Sequence, residues 1–441
     1  MKIIIIGGGI TGLVAGYYLC KKDYEVEIYE SSYFLGGQAS ALRINDNLVE
    51  RAYHHIFKND IQLINLMQEL GIINKLKWYQ SSVGIFSQDK LFKFSSPLDL
   101  IKFPHLSIFN RFRLGLVSLY LMRVKNWEKY EHTTASKWIK KYAGNQIYNI
   151  MWGPLLKAKF GKYYKLIGMP WFWSKMKTRF ASRDSKGNEV LGYINGSFDV
   201  LINKLRDEII QKGGSINLNS KILKINSDNS KIKSVTFKKN NTKYESLGDV
   251  VINTAPSFEI NKMINFDSKY KQKLNTAKYI GASVFILSLK ESLTPYYWIN
   301  IVDKNVPFLG LIEHTNLVPK CYYGGKHILY ITNYLANDDP VFTTDKEDLI
   351  NKYYSHLKKL NPNFTKDWVY EYKYNSVSAA QPIIPIGYNE NIPSYISPIK
   401  NLYIGNTTQI YPEDRGTNYS VKIAGEIVSL ILNKGAENEK R

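Results

Sequence analysis

Cysteine is nearly absent from the 441-residue chain: Cys20 and Cys321 are the only two. Two thiols so far apart exclude a disulfide framework, form no metal-ligand spacing, and suggest a reducing, cytoplasmic setting. Long apolar runs are also missing. The N-terminal run covers only residues 3–6, too short for a signal peptide, and the apolar helical stretch near 114–122 cannot span a bilayer. Acidic residues are scarce, 38 against 59 Lys and Arg, for a net charge of +21. Such a balance suggests nucleic-acid binding. The basic residues are scattered, however, and Lys, Asn, Ile and Tyr are abundant throughout, so no nucleic-acid partner is expected. The charge instead favours a small, anionic substrate, or peripheral contact with an anionic membrane on its inner face. No metal-ligand cluster, G-x-S-x-G turn, Walker loop or internal repeat is present, and the only biased segment is a short charged tail, 435–441.

Against these absences stands one dense signal, residues 2–30. Residues 2–6 form an apolar, β-branched run of the kind found in buried parallel strands. It leads into Gly7-Gly8-Gly9-Ile10-Thr11-Gly12, which fits G-x-G-x-x-G. Gly7 permits the tight turn, Gly9 lets the backbone approach a pyrophosphate, and Gly12 lets the helix lie close to the strand. Ile10 and Thr11 open that helix, whose free N–H groups and positive dipole end suit phosphates. Residues 25–30 alternate and end in Glu30, eighteen residues after Gly12. A carboxylate there accepts hydrogen bonds from both hydroxyls of an adenosine ribose and repels a 2′-phosphate, which disfavours NADP.

The length predicts two domains, and an apolar fraction of 44% is that of a globular protein. A second glycine loop, Leu35-Gly36-Gly37-Gln38-Ala39-Ser40, follows the first βαβ unit. Residues 80–190 are aromatic and basic with helical periodicity. Within them, 102–129 interleaves Phe103, Phe109, Phe112, Leu116 and Leu119 with Arg111, Arg113, Arg123 and Lys125. That pattern predicts an amphipathic helix packed on its own domain and is also compatible with a helix lying on a membrane. Leu201, Ile202, Leu205 and Ile209 mark another helix, closed by Gly213-Gly214. Residues 215–225 and 231–238 read as a hairpin or meander, and 249–256 as a buried strand ending in a turn. Residues 257–394 form a mixed α+β block with strands at 282–289, 327–333 and 368–374. The chain closes with strand, loop and helix over 401–432.

An N-terminal βαβ unit, a Gly-Gly loop directly after its acid, and a closing strand–loop–helix resemble the flavin amine oxidase superfamily, including its protoporphyrinogen oxidase-like and phytoene desaturase-like branches. The resemblance implies an α/β fold: a discontinuous, GR2-like FAD/NAD(P)-binding Rossmann-type domain (1–80, 190–256, 395–441) with a mixed α+β substrate domain (81–189, 257–394). It implies FAD as cofactor and no metal. Gly36, Gly37, Gln38 and Ala39 match the family's second glycine loop, with Gln38 where Arg is common. Ile222 matches the strand whose backbone holds the adenine, and 249–256 matches a strand near the adenosine. Gly405-Asn406 matches a strand-Gly-Asp turn, with Asn as an uncharged ribityl or diphosphate partner. Gly416, Thr417 and Asn418 start a final helix aimed at the flavin, where its dipole would stabilise negative charge.

His55-Ile56-Phe57 resembles the HIF motif of UDP-galactopyranose mutases, where the His sits near the isoalloxazine. Adjacent residues on a strand face opposite ways, so at most one of His54 and His55 faces the flavin, and His55 is the catalytic base candidate. Residues 151–161 resemble a substrate-domain segment of protoporphyrinogen oxidase-like proteins. There Trp152 and Phe160 read as packing residues, and Lys157 and Lys159 as solvated, with an anion-holding role as the alternative. Glu413, Asp414 and Arg415 are candidates for orienting substrate or for a structural salt bridge. The implied activity is that of an FAD-dependent oxidoreductase passing a hydride equivalent from an organic substrate to flavin N5. A redox-neutral sugar-nucleotide mutase is the alternative, and a flavin-binding assembly partner without turnover is a third reading.

Overall fold

The computed structural model describes residues 1–228 and 230–439. Asn229 and the end of the charged tail, Lys440 and Arg441, lie outside the described residues. Strand β1 (Lys2–Ile6) runs at the centre of a five-stranded parallel sheet, in the order 402–404, 250–253, 2–6, 25–29, 215–217. Its position follows from its composition, because a central parallel strand is covered on both faces. Ile3 and Ile5 pack with helix α1 (Ile10–Cys20), helix Asp199–Gln211 and the final helix Thr417–Glu439. Ile4 and Ile6 pack on the opposite face with Ile222, Ile225, Ile232 and Val235. Truncating one of these isoleucines to Ala would cost about 3 kcal/mol.

The segment 215–225, read from its alternation as one strand, is divided. Ser215–Asn217 extends the parallel sheet beside strand β2 (Glu25–Tyr29). The chain then turns at Asn219, which takes a left-handed backbone (φ 53°) that Asn tolerates, and Lys221–Asp228 opens an antiparallel meander with Lys231–Lys239 and Thr242–Leu247. Alternation marks a strand but not the sheet it joins.

A second, seven-stranded sheet draws on both of the remaining stretches of chain, in the order 369–383, 278–289, 327–335, 310–313, 298–301, 83–87, 90–93. The strand Val369–Ile383 is longer than its sequence signal, and Pro382 pairs opposite Tyr279. As an edge strand it tolerates a residue that cannot donate. The strands Leu76–Gln80 and Val190–Ile194 pair antiparallel and stitch the chain together where the helical segment leaves and returns.

The helices between 97 and 181 share a core rich in Trp, Tyr and Phe. Helix Ile108–Arg123 contributes only one face to it. Leu114 and Leu121 are buried there, whereas Phe109, Phe112, Leu116 and Leu119 on the other side are exposed. The expected packing on its own domain therefore accounts for half of this helix. No described helix is long and apolar enough to cross a membrane.

Candidate functional site

The carboxyl ends of three adjacent parallel strands carry Gly7, Thr254 and Gly405, which follow paired positions in the sheet register. This is the crevice where open α/β sheets bind ligands. Gly7 has φ +105°, and a Cβ there would sit 2.5 Å from Thr254 Oγ1. A Cβ on Gly12 would lie 2.0 Å from the Gly7 carbonyl oxygen, so helix α1 reaches the turn only because that atom is missing. Gly9 caps α1 without any side-chain hydrogen bond, which leaves the helix start to face a ligand.

The second glycine loop lies against the first. Gly36 donates to the Gly8 carbonyl at 2.8 Å, and a Cβ on Gly37 would stand 3.2 Å from the Gly9 Cα. Gln38 does not stand free: its Nε2 donates to the Ala379 carbonyl at 2.8 Å. Ala39 is buried and closes the turn by donating to Gly36. Glu30 accepts from the Gly8 N–H at 2.7 Å with one carboxylate oxygen and from the Ser32 N–H at 2.7 Å with the other. The carboxylate therefore ties the first loop to the chain that leads into the second. Ser220 N–H donates to the Glu30 carbonyl, which brings the Ile222 strand alongside, but the Ile222 side chain is in the core, so only its backbone can meet a ligand.

At the closing end, a Cβ on Gly405 would be 2.3 Å from Ile427 of the final helix. Asn406 is buried and its side chain is spent on the protein. It accepts from the Thr408 N–H and hydroxyl and donates to the Ala255 carbonyl at 3.1 Å. It organises the turn rather than reaching out of it. Gly416 is exposed and precedes Thr417, the first residue of the final helix. Asn418 accepts from the Leu63 N–H at 3.1 Å, supplying from a distance the cap that helix Ile61–Glu69 lacks at its own start. The cradle thus contains glycine-made room, two facing backbone loops, a helix start and a carboxylate just past the end of strand β2. Those features fit a dinucleotide cofactor.

Beside it lies a second group, which joins Lys159, Asp414 and Arg415, singled out in the sequence, to residues that were not. Lys159 Nζ is 2.8 Å and Lys175 Nζ 3.0 Å from the same oxygen of Asp414. The two ammonium groups outweigh burial and hold the Asp414 carboxyl well below the usual carboxylate range. Arg415 donates through Nη2 to the Tyr334 hydroxyl at 2.9 Å, while its buried Nε has no partner among the described residues. Burial would raise the Tyr334 phenol, yet the Arg415 and Lys159 charges bring it below its ordinary value. Arg179 lies 5.4 Å over the Trp298 ring and 3.7 Å from Glu189. Four cations thus face two carboxylates. Lys159 is part-buried and ion-paired, which corrects its reading as solvated, while Lys157 is exposed. Phe160 is buried and Trp152 packs edge-on against Phe172.

His55 borders this group. Its Nδ1 is 3.1 Å from the Tyr297 hydroxyl, with Phe57 and Trp298 against the ring. Burial, then the Arg179 and Lys175 charges, keep it well below the usual histidine value, so it is neutral at neutral pH. His54 points elsewhere, its Nδ1–H donating to the Ala52 carbonyl at 2.6 Å and its ring against Phe198, and burial lowers it to about 4. Lys175, Arg179, Tyr297, Trp298 and Tyr334 were missed by sequence reasoning. Only the i, i+4 spacing of Lys175 and Arg179 could have signalled a shared face. Among the described residues, no group of His, Cys, Asp and Glu could hold a metal ion.

The family model for flavin-containing amine oxidoreductases matches residues 10–411. A zeta-carotene desaturase of Synechocystis sp. is 32% identical over 78 residues, 18% of this chain and 16% of that protein. The chain thus matches only about a sixth of that curated relative's length. Among solved structures, a protoporphyrinogen oxidase candidate from Exiguobacterium sp. 255-15 superposes with a TM-score of 0.76 at 14% identity over 98% of both chains. A reduced UDP-galactopyranose mutase superposes with a TM-score of 0.74 at 15% identity, over 98% of this chain and 95% of the other.

Proposed function

The chain belongs to the flavin-containing amine oxidoreductase family and is an FAD-dependent oxidoreductase; from that premise we propose that it takes a hydride equivalent from an anionic organic substrate to flavin N5. The observation that carries this reading is the position of a charged cluster. Asp414 and Arg415 immediately precede the final helix of the cradle, and with Lys159, Lys175, Arg179 and Glu189 they make a group of four cations and two carboxylates.

Residues 1–80, 190–256 and 395–441 would hold the cofactor, and 81–189 and 257–394 the substrate. Gly7, Gly9, Ile10, Thr11 and Gly12 would meet the pyrophosphate, with Gly36, Gly37, Gln38 and Ala39 closing over it. Glu30 would take the ribose hydroxyls and the Ile222 backbone the adenine. Gly405, Gly416 and Thr417 would line the flavin end, with Asn406 and Asn418 fixing the turn and helix that present them. Bound FAD supplies the two-electron acceptor. Lys175, Arg179 and Arg415 would hold the substrate's negative charge, and the aromatic walls from Trp298 and Tyr334 would exclude water and strengthen that attraction. His55, neutral and hydrogen-bonded to Tyr297, would accept a proton from the substrate.

The local motif His55-Ile56-Phe57 favours one second reading, a redox-neutral mutase of nucleotide sugars. Anaerobic addition of amines, porphyrinogens, polyenes and nucleotide sugars, followed by visible absorbance, separates the two. Bleaching of the flavin bands by an anionic substrate is the expected result. Turnover only after chemical reduction, with no net bleaching, would replace this proposal with the mutase reading.

A further inference from the structure

Helix Ile108–Arg123 is apolar on two sides, and only one of them is covered. Its inner face, with Leu114, Val117 and Leu121, packs on Trp138, Phe172 and Met176. A helix apolar all round is ordinarily buried all round. Here Ile108 is 68% exposed, Phe109 73%, Phe112 63% and Leu116 68%, and Leu119 is exposed with them. Positions 108, 112, 116 and 119 recur at helical spacing, so these side chains form one strip. Leu98, on the short helix before it, is also exposed. A contiguous apolar patch on a soluble surface marks an interaction site rather than chance exposure.

Charge identifies what covers it. Residues 98–125 carry Lys102, Arg111, Arg113, Arg123 and Lys125 against a single acid, Asp99, and that acid is spent in a helix cap. Lys102 is exposed where the short helix leads into Ile108–Arg123, and Arg123 and Lys125 are exposed at the far end. Arg111 and Arg113 donate to backbone carbonyls, which satisfies donors without cancelling charge. A second copy docking by a two-fold axis would set these cations against their own images, which costs energy. A surface with apolar depth and negative charge complements both features.

We propose that helix Ile108–Arg123 is a membrane-docking face that seats the protein peripherally on an anionic lipid surface, Phe109, Phe112 and Leu116 entering the acyl boundary and the flanking Lys and Arg meeting the headgroups. The helix lies flat, since no described helix can cross the bilayer.

The test is co-sedimentation of the FAD-loaded full chain with vesicles of phosphatidylcholine alone, or of phosphatidylcholine with about 30% phosphatidylglycerol, at low and high salt. Binding is expected on the anionic vesicles, weakened by salt and slight on the neutral ones. Combining Phe109→Ser, Phe112→Ser and Leu116→Ser should lower the bound fraction at least about tenfold with flavin content unchanged. Arg123→Glu with Lys125→Glu should abolish the preference for anionic vesicles, and this charge variant decides the matter if the triple variant fails to fold. Failure of the wild type to bind anionic vesicles at low salt would overturn the proposal, as would equal binding by the variants. A dimer lost in the triple variant, without vesicle binding by the wild type, would assign the face to a second copy instead.

Discussion

In the cofactor cradle, Gly7, Gly12 and Gly405 act through the side chain they lack, each leaving room that a Cβ would fill at 2.5 Å or less from a neighbour. In the charged cluster beside it, Lys159, Lys175, Arg415 and Asp414 act through the charge they bring, held in place by one another and by Tyr334. The first region is made of backbone that is contiguous in sequence or joined by sheet register. The second is assembled from side chains of four separate segments. A backbone-made site tolerates no added volume, whereas a charge-made site tolerates volume but no unbalanced charge.

Substitutions that touch one region and spare the other test this contrast. Gly12→Ala forces a Cβ onto the Gly7 carbonyl, so the purified variant should retain no flavin, read as the ratio of visible to protein absorbance. His55→Ala should lower kcat about a hundredfold once a substrate is found, with flavin content near that of the wild type. Loss of flavin in that variant would place His55 in the cradle instead. Glu30→Ala removes the carboxylate that holds the Gly8 N–H and that would face the ribose, and should weaken FAD binding by about 2 kcal/mol, or roughly thirtyfold in Kd. Asp414→Asn leaves two part-buried ammonium groups without their counter-charge. It should cost about 2 kcal/mol in unfolding stability, less than for a fully buried pair because the lysines keep some solvent. Unchanged chemical denaturation would show that the triad is not a structural element of the pocket.

The smallest effect concerns pH. The unfolded chain protonates His54 near 6.5, while the folded chain resists until about 4. The unfolded state therefore binds more protons in between, and this contribution falls as pH falls through that window. From pH 7 to 5.5 the loss is about 1 kcal/mol. His54→Gln should remove that part of the acid sensitivity, measured as the shift in urea midpoint between the two pH values.

The same contrast explains what could be read before the structure was known. The strand, turn, helix and acid of residues 2–30 are local, and each signal constrains the next. The closing strand and helix were legible for the same reason. Lys159 was not, because lysine is ordinarily solvated and nothing near it in sequence shows Asp414, 255 positions away. Tyr297 directly precedes the strand Trp298–Ile301 and Tyr334 lies in the strand His327–Leu335, and the pattern at both speaks only of burial. The division of 215–225 between two sheets hinged on one left-handed Asn219. The two apolar sides of helix Ile108–Arg123 could not be told apart, since composition does not say which side finds a partner.

The most direct test of the proposed division is anaerobic stopped-flow reduction of the bound flavin by an organic acid and by its neutral counterpart, in the wild type and in Arg415→Met. The expected result is bleaching by the acid alone, slowed by salt and by the substitution, with flavin content constant. Equal bleaching by the neutral counterpart, or an unchanged rate in Arg415→Met, would contradict it.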